Sequence, residues 1–84
     1  MKYYFAAFGS RTQAMRYFDM LKRCGITATV LNTPREASLG CGLSVRFNEC
    51  DFAEAEAVIY KDCFSAFIGF FEYDCGKVYR IQAD

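Results

Sequence analysis

Apolar residues in this chain change their spacing repeatedly, and nearly every change falls on a glycine or a capping residue. The run from Lys2 to Phe8 is almost solidly apolar and aromatic, as in a buried strand, and Gly9 ends it. Ser10-Arg11-Thr12-Gln13 then fits a capping box, in which the Ser10 hydroxyl accepts from the Gln13 amide and Gln13 reaches back. Ala14, Tyr17, Phe18, Leu21 and Cys24 follow at helical spacing, so a helix with one apolar stripe is expected, closed by Gly25. From Ile26 to Leu31, β-branched and small residues alternate in the manner of a strand.

Thr33-Pro34-Arg35-Glu36 repeats the capping pattern, with Pro34 at the first helical position, and leaves room for one short turn before Gly40. Leu43, Val45 and Phe47 alternate with Ser44 and Arg46, which predicts a half-buried strand with a polar outer face. A third capping pattern, Asp51-Phe52-Ala53-Glu54, opens a second helix running through Ala55, Val58 and Ile59 to Asp62 or Cys63. Ser65 to Tyr73 reads as a strongly apolar strand, Asp74-Cys75-Gly76 as a hairpin turn, and Lys77 to Gln82 as a last strand.

That order predicts one α+β domain over residues 1–84. Its first six main elements match the split β-α-β of ferredoxin-like folds, βαββαβ: an antiparallel sheet covered on one face by two helices. The extra C-terminal strand is expected to extend an edge of the sheet or to pair with a second subunit.

Several function classes are disfavoured by composition. The chain carries ten cationic and ten acidic residues, scattered, with formal net charge zero. Nucleic-acid binding needs a concentrated positive surface, which here would require folding to gather Lys2, Arg46, Lys77 and Arg80. The apolar N-terminal run is too short for a membrane span or a signal peptide, so a cytoplasmic protein with reduced thiols is expected. Its five cysteines include no C-x-x-C pair and the chain has no histidine, which argues against structural zinc; no motif for a bound cofactor is present. Without histidine there is no Cys-His or Ser-His pair, so a carrier is a better reading than a stand-alone enzyme.

Chemistry concentrates in the segment from Thr33 to Phe47. Cys41 lies between Gly40 and Gly42, which leave its sulfur open to a bulky partner. A nearby cation raises the thiolate fraction of a cysteine, and Arg35 is close enough in sequence to serve. Cys24 and Cys63 are placed on inner helix stripes and read as core residues, Cys50 as a loop residue near a helix start, and Cys75 as a turn residue that is the rival candidate.

At this segment the sequence resembles the small selenium/sulfur carrier-like family. The resemblance rests on Ala14 in the first helix, Thr33-Pro34-Arg35-Glu36, Cys41-Gly42 and Arg46-Phe47, and covers about the first seventy residues. It implies a carrier that holds sulfur or selenium on Cys41 as a persulfide or selenopersulfide, with Arg35, Thr33, Gly40 and Gly42 in support. It also implies two partners: a donor such as a cysteine desulfurase, and a downstream acceptor protein. The alternative is a non-catalytic, dimeric binding or assembly module, motivated by the rings of Phe67, Phe70, Phe71, Tyr73 and Tyr79.

Overall fold

A computed structural model describes residues 2–37 and 42–81; of Glu36, only the backbone is described. The chain forms β1 (Lys2–Phe8), α1 (Arg11–Arg23), β2 (Ala28–Asn32), β3 (Leu43–Phe47), α2 (Phe52–Ile59), β4 (Phe67–Asp74) and β5 (Lys77–Arg80). Single 3-10 turns occupy Arg35–Ala37 and Glu49–Asp51. The five strands make one sheet in the order β2-β3-β1-β4-β5, every neighbouring pair antiparallel. No helix among the described residues is long and apolar enough to cross a membrane.

Alternation along β1 assigns its side chains to two faces. Ala6 and Phe8 join Ala14, Tyr17 and Leu21 of α1, Val45 and Phe47 of β3, Ala55 and Val58 of α2, and Phe70 of β4 in the main core. The Tyr17 hydroxyl donates to the Ala55 carbonyl at 2.7 Å and so ties α1 to α2. Tyr3, Phe5, Ala7 and Phe71 form a second buried cluster on the other face. That face was expected to be uncovered. Instead Ala37, from the turn between β2 and β3, packs against this cluster, and the turn reaches β5 on the far side of the sheet. The outer face of β3 is accordingly drier than its pattern suggests: Ser44 is fully buried.

The capping patterns are honoured unevenly. Ser10 accepts from the Gln13 amide, but the Gln13 side chain does not reach back; it accepts from the Ala66 amide and donates to the Ser65 hydroxyl, joining α1 to the approach to β4. Asp51 makes no side-chain cap, because the preceding 3-10 turn leads the chain directly into α2. This second helix also stops at Ile59, short of Cys63. The final hairpin turns on Cys75 and Gly76, both at positive φ (49° and 85°), the backbone of a two-residue type I′ turn.

Candidate functional site

The Thr33–Phe47 segment is held from both ends. The Thr33 amide donates to the Gly42 carbonyl at 3.2 Å, continuing the β2–β3 ladder one step past Asn32 and Leu43. Inside that ladder the Thr33 and Ser44 hydroxyls share a hydrogen bond of 2.8 Å, which satisfies the buried serine. Between them, the Ala37 amide donates to the Pro34 carbonyl at 3.1 Å and closes the 3-10 turn. Thr33 thus serves the ladder and Ser44, not the helix cap that its sequence pattern suggests.

Gly42 is the tightest point. A Cβ at this position would lie 2.5 Å from the Phe8 carbonyl oxygen and 3.6 Å from the Thr33 hydroxyl. Its φ is not positive, so the requirement is for closeness to β1 and not for an unusual backbone angle. Thr33 and Gly42 are therefore brought together. Arg35 is exposed on the 3-10 turn, with no ion pair among the described residues. Cys41 and Gly40 lie outside the described residues.

The other thiols correct two expectations. Cys24 and Cys63, read as core residues, are both exposed. Cys24 caps the end of α1, where the buried stripe has already finished at Leu21, and Cys63 lies beyond the end of α2. Cys50, on the turn before α2, and Cys75, at the hairpin tip, are exposed as well.

Two arginines that the capping and cysteine patterns do not mark lie on the sheet face against which Ala37 packs. Arg46, Phe5, Phe71 and Arg80 stand side by side on four neighbouring strands. The Phe5 and Phe71 rings stack at 5.4 Å between centroids. Arg80 lies over Phe71 at 5.4 Å and donates to the Ile68 carbonyl at 2.9 Å, while Arg46 lies over Tyr3 at 4.5 Å. Beside this row run the small residues Gly69, Ala7 and Ser44, also cross-strand neighbours. Lys2 does not join the arginines. It alternates onto the helical face, where Glu49 and Glu72, each 3.5 Å away, raise its pKa above the ordinary lysine value.

Fold and segment together define a small α+β domain whose cysteine-bearing β2–β3 connection is anchored by a hydroxyl pair at one end and a backbone contact at the other. The chain matches the family described as "Putative Se/S carrier protein-like" over residues 3–63, and it belongs to that family. The matched span contains Thr33-Pro34-Arg35-Glu36, Cys41-Gly42 and Arg46-Phe47. No curated protein and no solved structure matches the chain.

Proposed function

We propose that the protein is a selenium/sulfur carrier whose working group is the Cys41 thiol. The family match through the Thr33–Phe47 segment carries this reading. The cysteine thiolate attacks the outer sulfur of a donor's cysteine persulfide, forming a new S–S bond while the donor's own S–S bond breaks. The donor departs as a thiolate, Cys41 holds the persulfide, and there is no net oxidation or reduction. The same exchange run toward an acceptor thiol unloads it. A cysteine desulfurase is the fitting class of donor, and a selenopersulfide would pass by equivalent steps.

Support for this geometry comes from the residues around the cysteine. Gly42 fixes the chain immediately after Cys41 against β1, and Thr33 holds the start of the segment to β3. Arg35, on the turn between them, is the assigned cation for the thiolate and persulfide anions. We also read the sheet as ferredoxin-like, with β5 added beside β4. The strand order and a main core shared by both helices on one face support that assignment. A cytoplasmic location fits the reduced thiol that the chemistry needs.

The test is to incubate the protein with a cysteine desulfurase and cysteine, then map added sulfur by mass spectrometry. Sulfur on Cys41, lost in Cys41→Ala and reduced in Arg35→Gln, supports the carrier. No adduct on Cys41, or equal adducts on all five cysteines, overturns it. The rings give little support to the alternative, a non-catalytic assembly module: Phe70 and Phe71 are buried within the subunit, Phe67 and Tyr73 are partly buried, and of the five only Tyr79 is exposed.

A further inference from the structure

We infer that β2 is a dimerisation edge, at which two copies of the chain join their sheets by antiparallel pairing centred on Val30. This inference is independent of the carrier chemistry. The two edges of the sheet are β2 and β5. Edge strands offer unpaired N–H and C=O groups, and soluble proteins usually block them with charge, proline or a bulge. At one end β5 is blocked in this way, with Lys77 and Arg80 in a strand of four residues. At the other, no charged residue and no proline occurs from Gly25 to Thr33, and the β2–β3 register runs without a bulge.

The hydrogen-bonding direction of each β2 residue follows from one observed bond. Thr33 donates its amide to Gly42 on β3, so residues 29, 31 and 33 direct their backbone groups inward. Ala28, Val30 and Asn32 therefore direct theirs outward, where β2 has no strand partner among the described residues.

A second copy fits this edge because the edge complements itself. A two-fold axis at Val30 sets Val30 opposite its own counterpart and Ala28 opposite Asn32 of the second copy. These pairs form about six backbone hydrogen bonds, two for each of three pairs. On the helical face valine meets valine, and on the other face Thr29 meets Leu31; no charge opposes another charge. The chain's net charge of zero adds no repulsion between the two copies. An acidic or basic partner would find no complementary charge on this strand.

The experiment is sedimentation equilibrium of the full chain at micromolar concentration, on wild type and two variants. Wild type is expected at twice the 9.6 kDa chain mass. Val30→Pro removes an outward N–H without removing a ladder bond inside the subunit, so it should weaken self-association roughly tenfold or more while cooperative unfolding is retained. Thr29→Lys, at an exposed side chain, places a charge beside Leu31 of the second copy; it should also weaken association, and it decides the matter if the proline variant does not fold. Hydrogen exchange should show the Ala28, Val30 and Asn32 amides protected in wild type; the Ala28 and Asn32 amides should exchange fast in both folded variants, and that of Val30 fast in Thr29→Lys. A monomeric wild type, or a dimer that the folded variants leave intact, overturns the inference.

Discussion

Gly42→Ala is the sharpest single perturbation of this structure. The new methyl group would start 2.5 Å from the Phe8 carbonyl oxygen, and tolerable contact requires about half an ångström more. Phe8 cannot supply that space, because β1 is paired on both sides, to β3 and to β4. The start of β3 must retreat instead. β3 lies between β1 and β2, so that movement runs toward β2 or out of the sheet plane, and either way it bends the Thr33-to-Gly42 hydrogen bond, already 3.2 Å, out of good geometry. Losing one such bond costs about 1 kcal/mol, and disturbing the partner of the buried Ser44 hydroxyl adds roughly 1 kcal/mol more. A total of about 2 kcal/mol falls within the usual range for overpacking. For a domain of this size it should lower Tm by roughly 8–16 °C. In urea the midpoint should fall by about 1–2 M. Gly9→Ala is the control, since a Cβ there meets only the Ala66 carbonyl, at 3.9 Å. Thermal and urea unfolding of both variants would check this. Should Gly42→Ala melt together with Gly9→Ala, the close approach of β3 to β1 would be refuted, and with it the anchoring assigned to this end of the segment.

Gly69→Ala should behave differently although its Cβ would meet the Arg80 guanidinium at 2.9 Å: a flexible side-chain end can swing away, so urea unfolding should show a loss of about 1 kcal/mol or less. Burial pushes the Tyr17 phenol well above its ordinary pKa. The folded state then keeps a proton that the unfolded state releases above pH about 10, so stability should fall by about 1.4 kcal/mol per pH unit from there upward. Tyr17→Phe, tracked by denaturant unfolding against pH, should flatten that slope by one proton relative to wild type. The exposed thiols of Cys24, Cys50, Cys63 and Cys75 should react in the native protein with a thiol reagent, so the reactivity of Cys41 is best measured with these four replaced by serine.

Much of the architecture was legible because local signals and tertiary demands agree. Ser10 caps α1, Gly25 takes positive φ just past the helix end, and β3 starts and stops where its alternation does. Legibility failed where a side chain served a distant element instead of its neighbour. Gln13 bonds to Ser65 and Ala66 rather than to its own cap, and Thr33 bonds to Ser44 across a ladder. Helical spacing also carries no information about where a helix stops, and the stripes that point to Cys24 and Cys63 end before reaching them. At the candidate site, the glycine beside Cys41 could be seen in the sequence, but its reason could not. A flanking glycine suggests an accessible sulfur; the structure shows a backbone carbonyl occupying the space of the missing side chain.

The family match ends at residue 63, but the fold does not. β4 pairs with β1 along its whole length and supplies Phe70 to one core and Phe71 to the other. Phe64, which packs edge-on against Tyr17 at 5.7 Å, also lies beyond the matched span. Burying a phenylalanine contributes about 1.5–3 kcal/mol, so these three rings account for roughly 5–9 kcal/mol. That is comparable with the whole stability of a domain this size, about 4–13 kcal/mol. A chain cut after Cys63 should therefore show no cooperative unfolding transition by circular dichroism. The segment around Cys41 would be present in such a fragment, but β1, against which Gly42 rests, would have lost its central position in the sheet. If the fragment folded cooperatively and still accepted sulfur, the dependence of the site on β4 would be wrong.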